Sequence, residues 1–358
     1  MFTGENIEHF AGFEFIKDRL GLGLETSRDK ALFINVAYDR QLIEHHDNYG
    51  IPQGEIDITD RKKLLKLLGM LDKSKTYEYI FLDVRFEEGY SSEVDSLLFA
   101  KIKSMKKIVV ANHNDIELAD GFPKEKAAIN DFSTTIISTN FARYKYLYDI
   151  KPSMALYAYN ELTGKYISDC LLWYASDGKL CYNSLFLQFP IEDFSEYDNE
   201  GHKQIYNLGT DILNEYSEQE LCDLTAGKYI VIGDMVEDLH DTYSGKKPGS
   251  VITYYAFRGL MDGNHYVSLW LTITMALVFF VISYLQLSHK PLVLRIPLLK
   301  RGNNRILFFI ISFVEYTILL LLLAFVLDVV CGLLISIALP TIWFTIQKYI
   351  IAYKRFEL

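Results

Sequence analysis

The stretch Asp60-Arg-Lys-Lys-Leu-Leu-Lys-Leu-Leu-Gly-Met-Leu71, followed by Tyr79-Ile-Phe-Leu-Asp-Val84, decides the fold. Leu64, Leu67, Leu68 and Leu71 recur at helical spacing, with Lys62, Lys63 and Lys66 on the opposite face, so the first segment reads as an amphipathic helix. Thr59 or Asp60 supplies its N-cap. The second segment is a short apolar run ended by a carboxylate, the pattern of a buried strand. Upstream, Ala31–Ala37 is another such run, joined to the helix by a polar loop with Gly50, Pro52 and Gly54. Downstream, Ser92–Met105 turns Val94, Leu97, Leu98, Ile102 and Met105 to one side of a helix, and Lys107–Ala111 reads as the next strand. Strand, helix, strand, helix, strand is the order of a parallel sheet with crossover helices.

Further strands are expected at Thr134–Ser138, Leu171–Ala175, Leu180–Gln188 and Tyr229–Ile232. A helix starts at Pro152-Ser153, Ser217-x-x-Glu220 forms a capping box, and Ser250–Met261 is the last helix of the unit. Leu171–Ala175 and Leu180–Tyr182 flank Asp177-Gly178 as a hairpin that sets Cys181 opposite Tyr174 and Cys170 opposite Leu185. Cys170, Cys181 and Cys222 are odd in number and do not face one another, so they read as separate buried thiols rather than a disulfide framework. The fold class is therefore α/β, with a mixed, largely parallel sheet over residues 31–265 and a lead-in over 1–30.

Beyond residue 265 the composition changes. Val267–Leu287 runs 21 residues without a charge, and Ile306–Gln347 is a second apolar block of 42 residues interrupted by Asp328 and Gly332. A bilayer core of about 30 Å takes roughly 20 apolar residues as helix. The expectation is a C-terminal bundle of three transmembrane helices near 267–287, 306–327 and 329–347, with a tail at 348–358. The link Ser288–Arg305 holds Lys290, Arg295, Lys300, Arg301 and Arg305 and no acid, which places link and tail in the cytoplasm. Residues 1–265 are then extracytoplasmic, and the protein is a multi-pass protein of the inner membrane with the lipid bilayer as a partner. Met1–Lys30 has no continuous apolar stretch to begin export. Either the first span works as a reverse signal or a membrane helix belongs in front of this chain, and the second is preferred.

Charge divides along the same line. Eight of the 36 Lys and Arg and three of the 46 Asp and Glu lie after residue 265, leaving 28 against 43 before it, near −15. So acidic a surface repels phosphate backbones, and nucleic acid is not an expected partner.

Candidate ligand groups are those at the carboxyl ends of the strands. They are Asp39, Asp83 with Arg85, Asn112 with His113, and the loop Asp234–Asp241, which holds Asp234, Glu237, Asp238, His240 and Asp241. The loop's carboxylates and one imidazole suit a divalent cation or a cationic or hydroxyl-bearing small ligand. The plainer reading, which is preferred, is an acidic turn capping the following helix, with Asp241 on backbone N–H groups. Asp83 and Arg85 make either a structural ion pair or a ligand contact. Glu315, amid the second apolar block, is either polar glue to Ser336, Thr341 or Thr345, or a partner contact or proton site. No catalytic constellation, P-loop or dinucleotide fingerprint is present, and no cofactor is implied.

The pieces Ala31-Leu-Phe-Ile-Asn-Val-Ala-Tyr-Asp39, Tyr79-Ile-Phe-Leu-Asp83-Val-Arg-Phe86, Asp95-Ser-Leu-Leu98, Gly227-Lys-Tyr-Ile-Val-Ile-Gly233-Asp, Asp241, Pro248-Gly249 and Leu260-Met-Asp-Gly263 resemble the CHASE type 2 family of extracytoplasmic sensor domains. The resemblance covers roughly residues 30–350. It implies a bacterial, membrane-anchored sensor that binds a small ligand or ion and relays it through membrane helices. The family's usual leading helix and trailing output domain are not seen in this sequence, so the output falls to a separate partner, with a homo-oligomer also in view. A non-sensing envelope scaffold and a transporter or channel component using Glu315 are the alternatives.

Overall fold

The computed structural model describes residues 30–46, 51–113, 116–132, 143–170, 173–186, 196–197, 203–242, 245–267, 269–287, 310, 313–314, 316–325 and 338–356. Among the described residues the chain divides into two compact units, one running to His265 and the other starting at Tyr266.

The first unit is built on a parallel sheet whose strands are β1 (Ala31–Asn35), β2 (Tyr79–Asp83), β3 (Ile108–Asn112), β4 (Ala127–Ile129), β5 (Ile205–Asn207) and β6 (Tyr229–Gly233). They lie in the order β5-β1-β6-β2-β3-β4, and every neighbouring pair is parallel. Their carboxyl ends are in register: Asn35 stands beside Asn207 and Gly233, and Gly233 beside Asp83.

The strands are apolar on both sides because both faces are covered. One face turns Leu32, Ile34, Ile80, Leu82, Ile108, Val110, Ile230 and Ile232 into a core with helix α1 (Arg61–Ser74) and helix α2 (Asp95–Ser104). The other turns Phe33, Phe81 and Tyr229 against Tyr254 and Phe257, from a helix over Gly249–Met261. Further helices are α3 (Met154–Thr163), α4 (Glu218–Thr225), α5 (the one over Gly249–Met261), α6 (Leu269–Leu287) and α7 (Ala338–Phe356).

Local capping chemistry sets several boundaries. Asp60 accepts from the N–H groups of Lys62 and Lys63, Ser153 from that of Leu156, and Ser217 and Glu220 close the reciprocal box at the start of α4. The guanidinium of Arg61 is buried over the Phe86 ring at 4.1 Å, with Asp95 at 3.8 Å, and burial lowers its pKa to about 10. It stays charged and ties the starts of α1 and α2 together.

Other expectations shift. The polar stretch after β1 forms a hairpin, Arg40–His46 with Pro52–Thr59. The turn at Asp177-Gly178 sets Tyr174 opposite Cys181 as read, but Cys170 faces Trp173 rather than Leu185, because Ser184–Phe186 pairs instead with Arg143–Lys145. The strand expected at Thr134–Ser138 lies outside the described residues.

The C-terminal expectation is overturned. Among the described residues no helix is long and apolar enough to cross a membrane. That corrects the bundle of three transmembrane helices, the multi-pass inner-membrane placement and the extracytoplasmic assignment of residues 1–265 that followed from it. The block read as Val267–Leu287 is described as a helix over Leu269–Leu287. The span read as 329–347 is instead α7, Ala338–Phe356, which carries Gln347, Lys348, Lys354 and Arg355 within its length. Within this second unit Phe344 of α7 meets Phe279 of α6 and Tyr316, and Lys348 lies over the Tyr316 ring.

Candidate functional site

The carboxyl edge of the sheet collects most of the unusual polar groups. Asp83 ends β2, and its Oδ1 accepts from the amide of Asn130 at 3.0 Å. Asn130 is buried, and its own carbonyl oxygen accepts from Thr253 of α5 at 2.6 Å and from Tyr144 at 3.4 Å. The other oxygen of Asp83, Oδ2, is buried without a hydrogen-bond partner among the described residues. Burial first, and then the charge of Asp238, pushes the Asp83 carboxyl up to about 7. Asn130, His240 and Arg85 oppose that shift. A group so placed changes protonation within the neutral range.

Two glycines make this packing possible. A Cβ on Gly233 would lie 2.8 Å from Ser250 Cβ and Oγ and 3.3 Å from Asp83 Cβ. A Cβ on Gly249 would lie 2.5 Å from Asp238 Oδ2 and 3.1 Å from the Phe132 ring. The start of α5 is therefore pressed against the ends of β2 and β6, with Asp238 seated on its first residue. Gly249 N–H donates to the carbonyl of Asp238 at 3.0 Å, and no side chain caps α5. The positive end of a helix favours the carboxylate there.

Asp238 and His240 form the outer part, His240 Nε2 to Asp238 Oδ1 at 3.2 Å, with the imidazole over Phe132 at 4.4 Å between centroids. Lys247, buried, stands opposite His240 in the hairpin Leu239–Thr242 with Gly245–Pro248.

The residues singled out from sequence do not form one site. Asp238 and His240 lie near enough to Asp83 for their charges to act on it. Asp234 and Glu237 turn away to Arg40, at 2.5 and 3.3 Å, and Asp234 Oδ1 accepts from the N–H groups of Val236 and Glu237, so this pair ties two loops. Arg85 does not join Asp83: the strand ends at Asp83, the period of two stops there, and Arg85 reaches Glu87 at 3.7 Å. Asp241 lies exposed, opposite Lys246 in the hairpin. His113 pairs with Asp131 at 2.8 Å beyond β3.

Among the described residues no three His, Cys, Asp or Glu are placed to hold a metal ion. Glu315 lies outside the described residues, and the Thr345 hydroxyl donates to the Thr341 carbonyl of its own helix.

Sequence reasoning missed Asn130, Thr253 and Tyr144, which lie far from Asp83 along the chain and carry no local signal. It also missed what surrounds Asp39. That carboxylate is buried, its Oδ1 takes Lys63 at 2.6 Å and its Oδ2 takes the Gly209 N–H at 2.9 Å. A cleft of about 420 Å³ opens beside it.

Comparison of the chain with known protein families, with curated proteins and with solved structures finds no match.

Proposed function

We propose that the α/β unit is a ligand-binding, signal-coupling module, in which a small molecule bearing an ammonium or hydroxyl group docks at Asp83, Asp238 and His240. The carrying observation is the buried Oδ2 of Asp83, an acceptor at a strand's carboxyl end that has no hydrogen-bond partner among the described residues. A buried polar group without a partner costs about 1–3 kcal/mol, a cost that a ligand hydrogen bond repays. The resemblance of the quoted motifs to sensor domains supports the same reading.

Coupling would run through α5. The helix begins on the site at Gly249, its Thr253 is bonded into the Asn130 network, and it ends at Met261, close to the end of the unit at His265. A ligand that draws on Asp83 or Asp238 moves the start of that helix, and its far end presents the change to a separate output partner. Such a shift is only as large as the ligand's differential affinity for two arrangements.

The test is a thermal-shift screen of the full chain at pH 7 against amines, amino alcohols and polyols. At least one compound should raise Tm by a few degrees. Asp83→Asn should abolish that rise and Asp241→Asn should leave it intact. A panel without any shift, or a shift unchanged in Asp83→Asn, removes the reading.

A further inference from the structure

The cleft beside Asp39 has a charge opposite to that of the unit around it. Lys62, Lys63 and Lys66, from the first turns of α1, line it together with Tyr38, Thr210 and Asn214, while Asp39 supplies its carboxylate. Its volume of about 420 Å³ falls in the range of small-molecule sites.

The cations are unequally engaged. Lys63 is fixed by Asp39, and that hydrogen bond raises its pKa, so it stays charged. Lys62 holds Glu93, but both partners are mostly exposed, and such pairs exchange readily with other anions. Lys66 has no hydrogen bond or ion pair among the described residues. The backbone N–H groups of Lys62 and Lys63 are taken by Asp60, and that of Gly209 by Asp39. Any anion here is therefore held by side chains. At the rim Tyr38 is 68% exposed and has no ring contact among the described residues. A fixed ammonium, two ammoniums open to an anion and a bare aromatic ring fit a ligand with a compact charge at one end and a flat group at the other.

We propose that this cleft binds a small phosphate ester carrying a flat ring, its phosphoryl group among Lys62, Lys63 and Lys66 and its ring on Tyr38. The site is separate from the one at Asp83, and its ligand is of opposite charge.

Titration calorimetry on the full chain tests it with adenosine 5′-monophosphate, ribose 5-phosphate, inorganic phosphate and adenosine as probes. The nucleotide should bind about ten-fold more tightly than inorganic phosphate, and adenosine alone should not bind measurably. Lys66→Met should weaken nucleotide and inorganic phosphate alike, by about ten-fold. Tyr38→Ala should weaken the nucleotide about five-fold and leave inorganic phosphate unchanged. Asp83→Asn should leave all of these affinities intact, so failure here and failure of the Asp83 reading are told apart. Since Lys66 and Tyr38 are exposed, both variants should melt as the parent does. Equal affinity for nucleotide and inorganic phosphate, binding that survives Lys66→Met, or no binding at all would overturn the proposal.

Discussion

Asp83 and Asp39 are two buried carboxylates on the same edge of the same sheet, and their surroundings treat them in opposite ways. Asp39 has both oxygens engaged, one by an ammonium and one by a backbone N–H, and it opens onto a cleft lined with lysines. Asp83 has one oxygen on a neutral amide and the other on nothing among the described residues, and burial, followed by the charge of Asp238, pushes its pKa up. The first arrangement stabilises a charge and builds a positive surface beyond it. The second leaves a charge poorly stabilised at neutral pH, a cost that folding alone gives no reason to keep. Buried groups held in that way are concentrated at functional sites.

The comparison breaks most severely at its glycines. Gly233→Val would drive a side chain into Ser250 and Asp83, and should cost about 3 kcal/mol, read as a fall in the urea midpoint. Gly209→Ala is the matching change at the other end: a Cβ there would lie 2.3 Å from Asp39 Oδ1, so it should displace that carboxylate and weaken any anion affinity of the cleft as well.

Asp83→Asn sharpens the contrast through pH. The folded pKa near 7 lies above the ordinary 3.8, so the folded state holds this proton more tightly than the unfolded chain. Stability from the site is full below about 3.8 and is lost as pH rises through 7. The asparagine variant should therefore gain on the parent by about 2–4 kcal/mol at pH 8 and by almost nothing near pH 4. An equal gain at both values would show that Asp83 titrates as an ordinary carboxyl.

Thr253→Val removes the hydroxyl that donates to Asn130 and should cost about 1–2 kcal/mol in chemical denaturation. At the small end, Lys62→Ala should leave the melting temperature unchanged, since its pair with Glu93 is exposed.

What could be read in advance follows the range of the signal. The strands around Phe81 and Val231 announced themselves because apolar runs covered on both faces are uncommon outside a parallel sheet. Asp60, Ser153 and Ser217 marked helix starts because a cap acts within three residues of itself. Asp83, Asp238 and His240 were legible as polar groups at strand ends, whereas Asn130 and Thr253 reach them only through the fold. Lys62, Lys63 and Lys66 looked like the outer face of a helix, and nothing local shows that Tyr38 and Gly209 close a cleft over them. The C-terminal reading failed because it set helix bounds from composition, whereas the backbone runs α7 over Ala338–Phe356, with Lys348, Lys354 and Arg355 inside it.

The order of strands has a further consequence for how the chain is assembled. Strand β1, near the start, has only β5 and β6 as neighbours, and these come from beyond residue 200. Strands β2, β3 and β4 can zip together as soon as they are made, whereas β1 waits for most of the unit to be synthesised. Contacts so distant along the chain slow folding, and until they form Leu32 and Ile34 stand on an unpaired edge. Co-translational collapse should therefore begin at the β2–β4 side, and the sheet becomes continuous only when β6 joins β1 to β2, after every residue that lines the lysine cleft has been made.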